Sequence, residues 1–498
     1  MSVALILSAV VAVAIGFVAL SAIWPGAVTF RTYRWIVVAL APGVGLGITS
    51  IGVFCWLMLF GPPDRTLLVV ELGVLTLLVV WVTRTKRWHA PAPAVAEGAS
   101  ASSTGTDRLI VWAFAVTLGC AAAAFVGLTV SRPHGAWDAW MNWNLRARMI
   151  FRAGQEWQVA FSPLFPWSHP DYPLLVQASV VRTWVYNAGE SLAGPAAVAF
   201  LFTFGTVGVV TAGVAVLRDR TQGMLAGMTL LGTPFLIFHG ISQYGDLPVG
   251  FFFLATMVLL ALHDRHRDVT VAFAILAGLT TGLAGWTKNE GLLFLAAVVL
   301  AGLLTVRRAE YDRPLARDAG PYLIGLLPIL VLIGLFKFHF APPNDLMSTV
   351  GAGETLARLT DPQRYVAVTK GFGIEIATFG FNGLFSGGLL LALYGACAGV
   401  RVEEMKTRWF RMSLWILALM LAGDAMVIVV TSEDAARLVN SSADRLVLQL
   451  WPVVVFACFR VFRSPSDSIY FIPSEARDLL GGHRRPGEQV PRRVRSSG

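Results

Sequence analysis

The sequence predicts an all-α polytopic membrane protein with about 13 transmembrane helices, and three observations carry that prediction. Hydrophobic residues make up 56% of the 498 positions and charged residues 14%, with a mean hydropathy of +0.66, which is too little charge to clothe a soluble globule of this size. Apolar runs of about 17 to 25 residues recur along the chain, each long enough to cross a bilayer as a helix. The formal charge of +9 sits in short Arg and Lys clusters between those runs, so the basicity reports membrane topology and not nucleic acid.

Taken in order, the first run, 3–23, has no positive leading region and no small-residue cleavage pattern, and is expected to remain as a helix. Runs at 35–60 and 66–82 complete a leading unit of three transmembrane helices, 1–83. Residues 84–108 are rich in Ala, Pro, Ser and Gly without periodicity, as a flexible cytoplasmic linker would be. The main module, 109–462, holds further runs at 109–130, 195–217, 222–240, 247–262, 270–287, 291–306, 320–340, 375–399, 411–430 and 445–462. The tail, 463–498, carries Pro, Ser and Arg-Arg pairs and is expected to be a disordered cytoplasmic extension; its 471–480 stretch looks like a translated genomic repeat. Cys55, Cys120, Cys397 and Cys458 all lie in apolar runs with no CxxC spacing, which offers neither a disulfide framework nor a zinc site.

The strongest basic connections, Arg307 to Arg317 and Arg401 to Arg411, should be cytoplasmic, and parity then sends 341–374 outside. Working backwards, the stretch 263–267 comes out inside, while Asp246, Lys288 and Asp138 come out on the external face. The moderately apolar segment 173–190 breaks this parity if it spans. It also carries Arg182, and an Arg mid-span costs about 2.5 to 3.5 kcal/mol, so it is expected to be a juxtamembrane or re-entrant helix.

The stretch Gly135 to Arg148 is too polar for lipid, and at helical spacing Asp138, Asn142 and Arg146 share one stripe while Trp137, Met141 and Leu145 share the next. That pattern fits a helix on the membrane surface. Asp138 is either the cap of that helix or a general base from which Trp137 and Trp140 exclude water. Asp246, two residues before Pro248, poses the same choice. His169, Asp171 and Tyr172 are held between Pro170 and Pro173, a stiff stretch suited to a phosphate or sugar headgroup. Lys288 and Glu290 join two apolar runs directly, and either pair with each other or present a cation to phosphate. Arg445 either snorkels, or pairs with Asp444, or offers a guanidinium fork to phosphate oxygens. No GxxxxGK[ST], HExxH or GxSxG motif is present, which counts against ATPases, zincins and α/β-hydrolases.

Trp137-Asp138 after an outward-going helix, His169-Pro-Asp-Tyr-Pro-Leu-Leu, Tyr244-Gly-Asp-Leu-Pro, Trp286-Thr-Lys-Asn-Glu-Gly and Asp444-Arg-Leu-Val-Leu-Gln-Leu-Trp-Pro together resemble the bacterial GT-C glycosyltransferases. The branch is that of protein O-mannosyltransferases, the aminoarabinose transferase of lipid A and the rhizobial lipopolysaccharide transferases. The resemblance covers roughly 109–462 and lies in the order and sidedness of motifs that are individually weak. It implies an acceptor-activating aspartate in the first external loop, at Asp138, and a second acidic residue at Asp246. Relatives often have Lys-Pro-Pro-Leu where this chain has His169-Pro-Asp-Tyr-Pro, and the three leading helices are a further departure.

The activity so implied is inverting transfer of a sugar from a polyprenyl-phosphate donor to a hydroxyl of a glycan, lipid or protein acceptor, at the external, periplasmic face of the plasma (inner) membrane. Asp138 would take the hydroxyl proton, Asp246 would position the acceptor or a divalent cation, and Arg445 with Lys288 would stabilise the departing phosphate, with Trp137, Arg146, His169, Asp171, Tyr172 and Glu290 lining the site. No other cofactor is implied. The rival reading is a transporter or flippase of polyprenyl lipids or glycolipids, though no internal repeat is present; a noncatalytic assembly partner is a third.

Overall fold

The computed structural model describes residues 2–25, 30–85, 105–267, 269–305, 316–344, 351–380 and 386–464. Most of the linker 84–108, most of the tail 463–498 and the basic loop at Arg307, Arg308 and Arg313 lie outside the described residues. Among the described residues there are helices and turns and no strand, only two isolated bridges. The chain is an all-α, multi-pass membrane protein. Nine described helices are long and apolar enough to cross a bilayer.

The helices, in order, are α1 (Val3–Ile23), α2 (Phe30–Phe60), α3 (Thr66–Arg84), α4 (Gly105–Ser131), α5 (Asn144–Arg152), α6 (Leu175–Asn187), α7 (Ala193–Leu217), α8 (Arg220–Leu231), α9 (Pro234–Ile241), α10 (Asp246–His266), α11 (Ala272–Thr287), α12 (Asn289–Leu304), α13 (Ala316–His339), α14 (Ala352–Leu359), α15 (Pro362–Thr378), α16 (Gly387–Ala398), α17 (Val402–Met405), α18 (Arg408–Val430) and α19 (Ala435–Val461). Most expected runs coincide with one helix, but two do not form a single straight one. The run 222–240 divides into α8 and α9, bent by 61° where Pro234 opens the second piece. The run 375–399 is not one helix: α15 ends at Thr378, Gly380 takes a left-handed φ of 101°, and α16 has only 12 residues. Segment 173–190, expected to be a juxtamembrane or re-entrant helix and not a crossing, contains the 13-residue α6, about 20 Å long and short of a hydrocarbon core.

Burial sorts the helices by their sequences. The helix α10 is apolar all round and is buried along nearly its whole length, with Phe251, Phe252 and Phe253 fully enclosed and Phe253 stacked on Phe294 of α12 at 4.2 Å. It packs against α7, α11 and α19. By contrast α3, α4 and α13 leave Val69, Leu77, Trp112, Val130, Ile324 and Val331 exposed, the surface that faces lipid in a protein of this kind. The leading helices are built into the same core: α2 packs on α6 and α7, and Arg182 of α6 reaches Glu71 of α3 and Ser8 of α1.

Candidate functional site

The site is assembled where remote segments end at the same level. After α4 the chain turns at Gly135, whose φ of 73° suits glycine, and Ala139–Trp143 form a single turn of π-helix before α5. The turn sets Asp138 at a helix start, but its side chain makes no capping bond; the carboxylate is instead hydrogen-bonded to the Arg445 guanidinium of α19. The Asp138 backbone N–H donates to the Tyr244 hydroxyl at 3.1 Å, and the Arg445 guanidinium lies 5.7 Å from the Tyr244 ring. Burial raises the Tyr244 hydroxyl above its ordinary pKa.

Asp246 occupies the first turn of α10 and does not cap it either. Its Oδ1 accepts from Lys288 Nζ at 2.9 Å and from the Gln449 amide at 2.7 Å, and its Oδ2 is 3.9 Å from His239 Nε2. α10 and α19 approach closely enough for this because Gly250 faces the backbone of Gln449, where a Cβ would sit 3.0 Å from the carbonyl oxygen. Lys288 is the extended residue between α11 and α12, and it also holds Glu290 Oε1 at 2.7 Å. Lys288 thus pairs with Glu290, one of the two alternatives the sequence leaves open, and bridges it to Asp246.

The proline-bounded stretch forms the third wall. Asp171 Oδ2 accepts from Asn289 at 2.7 Å, from Asn344 at 2.9 Å and from Lys337 at 3.3 Å. Burial pushes the Asp171 carboxyl up, but Lys337 and the two amides outweigh it and hold the group below its ordinary value. His169 takes a left-handed φ of 43° and stacks on Tyr172 with ring centroids 5.0 Å apart. The Lys288 ammonium lies 5.7 Å from the Tyr172 ring.

These groups line one cavity of about 440 Å³: Asp138, His169, Asp171, Tyr172, Asp246, Lys288, Glu290 and Arg445 all face it. Two residues expected in the site do not. Trp137 is 60% exposed and packs edge-on against Trp140 at 4.7 Å, outside the lining. Arg146 is fully buried behind the wall, donating to the carbonyls of His169, Pro170 and Tyr172 at 3.0–3.2 Å. Burial draws its guanidinium down to about 9, with the Asp171 charge opposing, so Arg146 remains charged at neutral pH and shapes the 169–172 loop. Among the described residues no group of three or more His, Cys, Asp and Glu is placed to hold a metal ion, and Lys288 and Gln449 occupy Asp246 Oδ1; this donor set does not fit a divalent cation.

The lining also contains residues not expected from the sequence: Asn289, Lys337, Asn344 and Asp424, with His239 and Gln449 behind them. Asp424 is the most visible of these, because it is the single carboxylate in the 23-residue, largely apolar helix α18, and an ionisable residue inside such a helix marks a functional position by default. Comparison with known proteins returns nothing: no family model, no curated protein and no solved structure matches the chain.

Proposed function

We propose that this chain is a membrane glycosyltransferase of the GT-C kind, transferring a sugar from a polyprenyl-phosphate donor to an acceptor hydroxyl with inversion, at the external face of the plasma membrane. The observation that supports the reading is the convergence of an aspartate, Asp138, with two cations, Arg445 and Lys288, from three remote segments around one cavity. A sugar joined to phosphate needs both: a base for the incoming hydroxyl on one side of the anomeric carbon and positive charge for the leaving phosphate on the other.

In the reaction, the acceptor oxygen forms its bond to the anomeric carbon as the bond to the phosphate oxygen breaks, and the hydroxyl proton passes to Asp138. The electron pair leaves with the polyprenyl phosphate. Arg445 exchanges the Asp138 carboxylate for a phosphate oxygen when the donor enters, which frees the base at the moment it is required. Lys288, held by Asp246 and Glu290, supplies the second positive charge.

The test is transfer in membranes supplied with labelled polyprenyl-phosphate sugar. Asp138→Asn should lower the rate by about 10²- to 10⁴-fold, the usual contribution of a general base, with free polyprenyl phosphate accumulating only in the wild type. Wild-type rates in Asp138→Asn would remove the base. Movement of intact lipid across the bilayer without release of polyprenyl phosphate would favour a flippase.

A further inference from the structure

A second cavity, of about 190 Å³, lies at the far end of α10. Asp246 lines the first cavity and Asp264 the second, and a rise of about 1.5 Å per residue sets the two roughly 27 Å apart, close to the thickness of a hydrocarbon core. The sequence makes the hole by placing a small residue on each of four helices at this level: Ala261 on α10, Ala274 on α11, Gly302 on α12 and Ala319 on α13. A Cβ added at Gly302 would meet nothing nearer than Met412 Cε of α18, at 4.0 Å. The walls are apolar, and Val299 and Leu303 of α12 both line the cavity and stand exposed on the outer surface of the bundle, so it opens sideways toward lipid. One rim is charged. Arg408 at the start of α18 and Asp264 near the end of α10 line it, and Arg267 and Arg460 join Arg408 in acting on Asp264. Arg460 lies over the Trp409 ring at 4.1 Å and donates to Glu404 at 3.1 Å, which Arg401 also reaches at 3.7 Å. Among these groups four guanidinium ions face two carboxylates, so the rim carries a surplus of positive charge.

We propose that this second cavity binds an anionic phospholipid from the leaflet opposite the first cavity, with hydrocarbon in the pocket and the headgroup phosphate at Arg408. Protein interiors are close-packed, and an apolar void of about 150 Å³ stays dry and takes up an apolar guest. A void that opens on a bilayer meets hydrocarbon first. The headgroup end is set by charge: basic pockets between transmembrane helices take acidic headgroups, and a guanidinium fork matches a pair of phosphate oxygens. A lipid seated there touches α10, α12 and α18 together, at the end of the bundle remote from the first cavity.

The site stands independently of glycosyl transfer, and lipid binding tests it. The full-length protein in detergent is mixed with equal amounts of phosphatidylglycerol, phosphatidylethanolamine and phosphatidylcholine, and the lipid it retains is read by native mass spectrometry. The wild type should hold phosphatidylglycerol about 10-fold or more in preference to the other two, the scale of a hydrogen bond to a charged group, and Arg408→Gln should bring all three within about 2-fold. Gly302→Leu leaves every charge in place but fills the pocket, and should lose the retained lipid. The two variants act on different parts of the site, so if one fails to fold the other decides. Lys406→Gln removes an exposed cation of the same region, paired with Glu403 at 3.2 Å, and should keep the preference. Equal losses in Lys406→Gln and Arg408→Gln would reduce the effect to a general attraction of a basic surface and overturn the site. A preference for phosphatidylethanolamine, the absence of any retained lipid, or retention that survives Gly302→Leu would overturn it as well.

Discussion

The Arg445 guanidinium is hydrogen-bonded to the Asp138 carboxylate, joining residues 307 positions apart in the chain at the rim of one cavity. Each side chain is about a quarter exposed, so the pair is reachable from the cavity and can change partners. If Arg445 moves to the phosphate of an incoming donor, its removal costs transition-state stabilisation as well as the pair. Arg445→Gln should lower transfer by about 10²- to 10³-fold, the scale of one lost oxyanion donor. Arg445→Lys keeps the charge without the fork and should lose less. Transfer rates in membranes, normalised to folded protein, decide this. Equal rates for Arg445→Gln and the wild type would reduce the pair to scaffolding.

How far the sequence foretells this site depends on the kind of information required. Helix positions follow from the length of apolar runs, and α1, α3, α7, α10 and α18 fall within a few residues of expectation. Breaks inside runs were hidden, because hydropathy averages over Pro234 and Gly380 while the backbone does not. In the site, Asp138, Asp246, Lys288 and Arg445 were marked by charge at helix ends, and the cavity brings them together. Arg146 carried the same mark and does something else. Its position on the stripe with Asp138 cannot reveal that three carbonyls of a distant loop enclose it. Asp424 shows the converse: it lies inside α18 and not at a helix end, yet it faces the cavity.

The buried cluster around Arg182 tests whether the leading helices are part of the structural core. Arg182 Nη2 lies 2.6 Å from Glu71 Oε2, and its Nη1 donates to Ser8 O and Oγ at 2.8 Å, tying α6 to α3 and α1. Removing one partner strands the other charge in an apolar setting, which typically costs about 3–5 kcal/mol. Glu71→Leu and Arg182→Met should each lower the unfolding midpoint in nanodiscs by more than the double variant does. Additive losses would show that the two charges do not depend on each other.

Asp171 gives a pH signature. Its folded pKa lies below the ordinary carboxylate value of about 3.9, so its contribution to stability is fully present above that value and is lost as pH falls through the folded pKa. Asp171→Asn lacks this contribution at every pH. The difference in unfolding midpoint between wild type and Asp171→Asn should be constant from pH 8 to about 5 and should shrink only in more acidic solution, below about pH 4. A difference that disappears near neutrality would mean that Lys337, Asn289 and Asn344 do not stabilise the carboxylate.

Gly291 decides where Lys288 and Glu290 stand. It lies in the first turn of α12, folded back on the end of α11 so tightly that a Cβ there would be 2.0 Å from the Ala284 carbonyl oxygen. Backbone on both sides leaves no flexible side chain to give way, so Gly291→Ala must push α12 off α11. Overpacking of this kind costs about 1–3 kcal/mol, which a membrane protein of this size can survive. The displacement acts directly on the extended residue between the helices, Lys288, and pulls its ammonium from Asp246, now 2.9 Å away. Gly291→Ala should therefore lose transfer out of proportion to its loss of stability. Gly302→Ala, on the same helix with its nearest neighbour 4.0 Å away, should retain both. Parallel losses in Gly291→Ala and Gly302→Ala would show that α12 responds as a rod and that the junction at Lys288 is not the sensitive point.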